Sequence, residues 1–249
     1  MCRHLAYLGP PRPLAELISE PPHSLVHQSW APRDMRGGGT INADGFGVGW
    51  HTGGEVVRYR RATPIWSDTT LPGLAASVTT TAMLAAVRSA TAGMPVTETA
   101  AAPFGDGPWL FSHNGVVAGW PTSVAKLAGT LPPVDLLTID APTDAALLWI
   151  LVRDRLRAGS PPREAVSEVV ADVLRAAPGS RLNLLLTDGV SLVATAVGHS
   201  LSYISDLSGE SITVASEPLD DRPGWRPVPD RTLLAATTTG LTLTPLGEA

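Results

Sequence analysis

Cys2 is the only cysteine among 249 residues. One thiol cannot close an internal disulfide, so nothing in the sequence asks for an oxidising compartment. Basic residues are not in excess either. The 18 Lys and Arg against 23 Asp and Glu leave a net charge of −5, which excludes the electrostatic footprint of a nucleic-acid binder. The longest apolar run, "AALLWILV" over 145–152, is far shorter than the roughly 20 residues that span a bilayer. No apolar stretch of signal-peptide length opens the chain, and Pro10, Pro11 and Pro13 interrupt it early. The expectation is a soluble, cytoplasmic protein. No low-complexity linker or internal repeat divides the sequence, so 1–249 reads as one domain.

Two cofactor signatures are missing as well. The six histidines are scattered and Cys2 is alone, so no zinc spacing exists. "NADGFGVGW" (42–50) is rich in glycine but lacks the phosphate-loop pattern and follows a loop, not a strand. No metal or cofactor is expected.

Hydrophobic residues make up 44% of the chain, enough for a sizeable core. "RHLAYLG" (3–9) reads as a first strand and "PLAELIS" (13–19) as a short helix with Pro13 near its start. The stretch 31–45 is a polar, Gly-rich loop. "FGVGWH" and "EVVRYR" flank Gly53-Gly54, a hairpin signal. Residues 83–91 and 108–115 read as buried strands with polar ends. Residues 143–159 are helical, with Thr143 as cap and Gly159 past the end. Residues 161–179 form the clearest helix, with Val166, Val169, Val170, Val173 and Leu174 on one face. Several short alternating segments follow, the first two joined by Asp188-Gly189. Two mid-chain helices between sets of mainly antiparallel strands predict a layered α+β fold.

Cys2 has two readings. It is a small buried residue of the first strand, or it is a nucleophile exposed by removal of Met1. In the second reading its own α-amine, with a reference pKa of about 7.7–8.0, serves as base to a thiol of about 8.5. Nucleophile and base then share one residue. "SHNGVV" (112–117) offers Asn114 and the Gly115 N–H as oxyanion donors, or a tight hairpin turn. "VRSATAG" (87–93) ends an apolar strand in Arg88, which asks for a carboxylate, from a ligand or from a structural salt bridge. Asp144 stands in a helix first turn, where capping alone explains it. His4 reads as a core histidine.

The segments "MCRHLAYLG", "NADGFGVGW", "VRSATAG", "SHNGVV", "TDAALLW" and "ASEPL" occur in an order that resembles class II glutamine amidotransferase-like N-terminal-nucleophile hydrolases, over 1 to about 218. The resemblance implies a four-layer αββα sandwich, two mainly antiparallel sheets between helices. It implies that Cys2, as mature N-terminus, attacks the γ-carbonyl of a glutamyl group while Asn114 and Gly115 hold the oxyanion. It assigns the α-carboxylate to Arg88 with Thr91 and the α-ammonium to Asp144, with His113 and Asn42 as supports. Within the group the motifs most resemble amidases that hydrolyse γ-glutamyl-hercynylcysteine sulfoxide, a small-molecule substrate. A γ-glutamyl amidase of glutathione-type turnover and an ammonia-supplying subunit of a separate synthase are the alternatives. The match departs at Ser89, where many amidotransferases of this group carry Trp or His. That points away from glutamine itself, as does the lack of a synthase domain. A trimethylammonium end of the substrate would ask for aromatic faces, and Trp30 and Trp66 stand in loops that would border the site.

Overall fold

The computed structural model describes residues 2–35, 41–206 and 210–247. Met1 and residues 36–40 of the Gly-rich loop therefore lie outside the described residues. In chain order the elements begin with β1 (Arg3–Pro13), α1 (Ala15–Ile18), α2 (Leu25–Gln28), β2 (Phe46–Thr52), β3 (Glu55–Arg61), α3 (Leu71–Ser77) and β4 (Thr79–Val87). Next come β5 (Phe104–Asp106), β6 (Trp109–Val116), α4 (Ala125–Ala128), α5 (Pro133–Leu137), α6 (Asp144–Arg157) and α7 (Pro162–Ala176). The chain closes with β7 (Arg181–Thr187), β8 (Leu192–Ala196), β9 (Ser202–Ser205), β10 (Ile212–Ala215), β11 (Arg226–Pro227), β12 (Thr232–Thr237) and β13 (Gly240–Pro245).

One sheet runs β11-β9-β10-β1-β4-β2-β3 and the other β13-β12-β8-β7-β6-β5, with antiparallel pairing throughout. Strand β1 shows why the layers stack as they do. Side chains alternate along a strand, and both faces of β1 are apolar. Leu5 and Tyr7 pack with Leu17, Ile18, Leu25 and Leu71 of the first helical layer. Ala6 and Leu8 pack with Leu110, Leu185 and Ala194 of the other sheet. The far face of that second sheet is covered by α6 and α7, where Phe111 stacks on Trp149 at a centroid distance of 5.6 Å. Helix, sheet, sheet, helix: the αββα sandwich is met.

Three local expectations change. Pro13 ends β1 instead of opening a helix, and the helix is the single turn Ala15–Ile18. The strand expected over 83–91 stops at Val87, leaving Arg88 just past its end. Asn114-Gly115 is no turn. Both residues pair inside β6 against Asn183 and Leu182 of β7. The α6 cap is as expected, with Thr143 Oγ1 accepting from the Ala146 N–H at 3.2 Å. Four of the five apolar positions predicted on α7 are buried, and Leu174 packs at the margin.

Candidate active site

Register brings the chemistry together. Arg3 of β1 faces Val87 of β4, so Cys2 at the start of one strand lies beside Arg88 at the end of the other. Across the sandwich His4 Nδ1 meets Ser112 Oγ at 2.8 Å, which sets the start of β1 over the end of β6. One residue past β6, the Val117 N–H donates to Asp144 Oδ2 at 3.0 Å, tying that strand end to the first turn of α6. Cys2, Arg88, Thr91, His113, Gly115 and Asp144 consequently line one pocket of about 510 Å³, a volume that includes its open mouth.

The half-buried Cys2 points its Sγ at the Ser89 carbonyl, 3.8 Å away. Arg88 is buried; Nη1 donates to the Pro95 carbonyl at 2.8 Å, and Nη2 finds no partner among the described residues. A buried guanidinium normally has its donors met, so this one is set for an anion entering the pocket. The Asp144 carboxylate accepts from the Ala145 N–H at 2.8 Å as well as from Val117. Each oxygen keeps a lone pair for a cation. One guanidinium and one carboxylate in a single pocket complement an α-amino acid headgroup.

The Gly115 N–H has a direction that follows from register. Leu182, its partner, sends its N–H to the Val197 carbonyl of the segment after β8 and takes the Thr195 hydroxyl on its own carbonyl. Leu182 thus spends both backbone groups away from β6, so the pair is not hydrogen-bonded and Gly115 turns its N–H to the outer edge. Among the described residues that edge has no strand partner beyond Phe111, because β5 pairs only with Trp109, Leu110 and Phe111. A side chain at 115 has no room: a Cβ would sit 1.9 Å from the Arg181 carbonyl oxygen. His113 Nε2 contacts the same oxygen at 3.0 Å.

Asn114 is buried and outside the pocket lining; its Nδ2 donates to Ser216 Oγ at 3.3 Å, while Oδ1 has no partner among the described residues. Asn42 is also behind the pocket, with its N–H on the Ser29 carbonyl at 2.7 Å. Trp30 and Trp66 are each 43% exposed and meet edge to face at 5.8 Å; neither lines the pocket. His4 is a core histidine, held neutral by burial, then by His113, Arg3 and His199, with its pKa lowered to about 3. No group of three or more potential metal ligands gathers among the described residues.

Sequence reasoning passed over Arg3 and Glu217, which stand in two of the quoted segments. Both are buried, at 2% and 3% exposure, with Arg3 Nε 3.8 Å from Glu217 Oε1. The available signal was a charge inside the otherwise apolar run that begins β1.

A thiol beside an amino-acid-shaped cleft, carried on two antiparallel sheets between helices, defines a protein built for acyl transfer from an amino-acid side chain. The model of the class-II glutamine amidotransferases matches residues 16–209, and the chain belongs to that family. It is 40% identical to a γ-glutamyl-hercynylcysteine sulfoxide hydrolase of Mycolicibacterium smegmatis, covering 99% of this chain and all of that one. A hydrolase of the same description from Mycobacterium tuberculosis is also 40% identical, over 100% of this chain and 98% of its own. Among solved structures, a glutamine aminotransferase class-II domain protein from Silicibacter pomeroyi matches with a TM-score of 0.71 at 23% identity, over 99% of this chain and 100% of that one. That likeness bears on the fold.

Proposed function

We propose that this chain is a γ-glutamyl amidase that cleaves γ-glutamyl-hercynylcysteine sulfoxide into glutamate and hercynylcysteine sulfoxide. The observation that carries the reading is the shared pocket of Cys2, the unpartnered Arg88 Nη2 and the Asp144 carboxylate. The two relatives that carry the hydrolase description, each matched nearly end to end, support the choice of substrate.

With Met1 removed, Cys2 Sγ attacks the γ-carbonyl carbon and its proton passes to the Cys2 amine. The negative charge formed on the carbonyl oxygen is held by the Gly115 N–H and by Asn114. A half-turn of the Asn114 amide gives the Ser216 hydroxyl an acceptor and frees Nδ2 for that task. Collapse breaks the C–N bond, and the amine of Cys2 hands the proton to the leaving nitrogen. Water then attacks the γ-glutamyl thioester, losing its proton to the same amine, and glutamate leaves with the thiol restored. Arg88 with Thr91 and Asp144 orient the glutamyl headgroup throughout, a contribution through positioning. His113 and Asn42 brace the strand end and the loop behind it. Trp30 and Trp66 present aromatic faces to the trimethylammonium end. The segment that carries Trp30 is tied to the pocket through the Asn42 N–H on Ser29 and the Asp44 N–H on the Arg88 carbonyl, and Trp66 meets Trp30 from a separate turn.

Incubation with γ-glutamyl-hercynylcysteine sulfoxide should release stoichiometric glutamate, and Cys2→Ala should abolish that release. No release by the wild type, or undiminished release by the variant, overturns the reading. Intact mass should show Met1 absent.

A further inference from the structure

Arg3 and Glu217 lie behind the pocket wall, and the catalytic steps above do not use them. Arg3 spends its guanidinium in three directions. Nη1 donates to the carbonyl of Cys2 at 3.0 Å, Nη2 donates to the carbonyl of Asp34, and Nε faces Glu217 Oε1 at 3.8 Å. Glu217 in turn accepts on Oε2 from two consecutive backbone amides, Arg33 at 2.9 Å and Asp34 at 2.8 Å. The loop at 33–34 is thus bonded to Glu217 through its N–H groups and to Arg3 through a carbonyl. Burial works against the Arg3 charge and lowers its pKa, with the Glu217 carboxylate opposing that shift.

Such an arrangement is expensive as a stability device. Replacing a buried ion pair by apolar side chains of similar volume is commonly neutral or stabilising. Its geometry fits another use. A residue at a chain terminus is anchored from one side only, and termini fray unless tied down. In the proposed mature protein Cys2 has one peptide bond, and its carbonyl is the group next to its thiol and amine. Fixing that carbonyl fixes the backbone rotation that aims both of them.

We propose that Glu217 is a positioning residue: it latches the 33–34 loop and Arg3 together so that Arg3 pins the carbonyl of Cys2. The proposal rests on the γ-glutamyl amidase reading for its catalytic consequence but not for its geometry. Misplacing a reacting group by about 1 Å costs on the order of 10²-fold in rate. Glu217→Ala should therefore lower kcat about 10- to 100-fold for the γ-glutamyl substrate, with KM changed less than about twofold. Glu217→Gln keeps an acceptor for the two amides and should retain more activity than Glu217→Ala.

The decisive variant is Arg3→Met/Glu217→Leu. It should melt within a few degrees of the wild type yet stay at least about tenfold down in kcat. Recovery of kcat along with stability would reduce the pair to a structural element and overturn the proposal. Hydrogen exchange tests the latch without any substrate. The peptide carrying the Arg33 and Asp34 amides should exchange about tenfold faster in Glu217→Ala, and close to wild type in Glu217→Gln. Unchanged exchange in Glu217→Ala refutes the latch. Absence of glutamate release by the wild type counts against the amidase reading alone, with exchange still deciding the latch.

Discussion

Arg88→Met is expected to damage activity and spare the fold, an opposite movement of two quantities that usually fall together. The side chain is buried, Nη1 is bonded to the Pro95 carbonyl, and Nη2 has no partner among the described residues. Hydrogen bonds to charged groups contribute about 1.5–3 kcal/mol each. At 1.36 kcal/mol per tenfold, loss of the contact to a substrate carboxylate lowers kcat/KM by about 10- to 150-fold. Stability runs the other way. The unmet buried donor costs about 1–3 kcal/mol, and the bond to Pro95 returns about 1. Methionine keeps much of the volume and adapts its shape, so the variant should be unchanged or gain about 1 kcal/mol. In a chain of this size that is a rise in Tm of about 2–4 °C. Glutamate release and a thermal melt on the same preparation check both numbers. A melt lowered by more than about 5 °C would mean that Arg88 is a structural ion-pair residue. Full kcat/KM would mean that the carboxylate of the substrate binds elsewhere.

Gly115→Ala should cost roughly 3 kcal/mol or more, since the added carbon meets the Arg181 carbonyl at 1.9 Å. Gly73→Ala inside α3 meets nothing within 4 Å and should stabilise by about 0.5–1 kcal/mol, so a pair of melts separates crowding from a general effect of adding a methyl. Thr143→Ala removes the α6 cap and should lower stability by about 1 kcal/mol, read by urea unfolding, and raise KM because Asp144 follows the cap directly. Burial, first among the causes, depresses the folded pKa of His4 to about 3 and that of His199 to about 4. The unfolded state, near 6.5, binds more protons over the intervening window. Stability is then fully present above pH 6.5 and is lost as pH falls towards 4 and then 3, by up to about 1.4 kcal/mol per pH unit for each proton. Urea titrations at pH 7.5 and 5.0 should show the loss, His4→Gln should reduce its slope, and an unaltered slope refutes the assignment of His4.

The sequence was legible where one residue type admits one physical explanation. The Gly53-Gly54 hairpin, the Thr143 cap and the valine face of α7 depend on neighbours within a few positions, and each was read directly. Segments whose meaning depends on distant partners were not. Asn114-Gly115 favours a turn by local propensity, yet pairing with Asn183 and Leu182 holds both residues extended. Tertiary hydrogen bonding outweighed a preference worth about a kilocalorie. Pro13 could end a strand because its missing N–H falls at the strand terminus, where no ladder bond is lost. The pairing of Arg3 with Glu217 was beyond reach: the Arg3 charge stands out in its apolar run, but 214 positions separate the two and nothing local to either residue indicates the other.

Buried polar atoms without a protein partner are rare in folded proteins, and here their distribution carries meaning. Among the described residues eleven buried side-chain atoms lack a hydrogen-bond partner, and five of them, on His23, Gln28, His51, Trp149 and Arg153, do not line the pocket. The other six are Arg88 Nη2, Asn114 Oδ1, His4 Nε2, Asn42 Oδ1, and Arg3 Nε and Glu217 Oε1, which face each other as an ion pair at 3.8 Å. All six residues belong to the pocket, to the strand ends that form it, or to the latch behind Cys2. Each unmet atom opposes folding, and the three apolar layers supply the compensation. An interior optimised for stability alone would have filled these positions with carbon, as the rest of β1 is filled. The six that gather near one thiol mark a site within the core, and their placement makes a directional claim. Arg88→Met and the paired Arg3→Met/Glu217→Leu should hold the melting temperature while lowering turnover, whereas apolar substitutions at satisfied polar residues such as Thr195 or Asn183 should lower both.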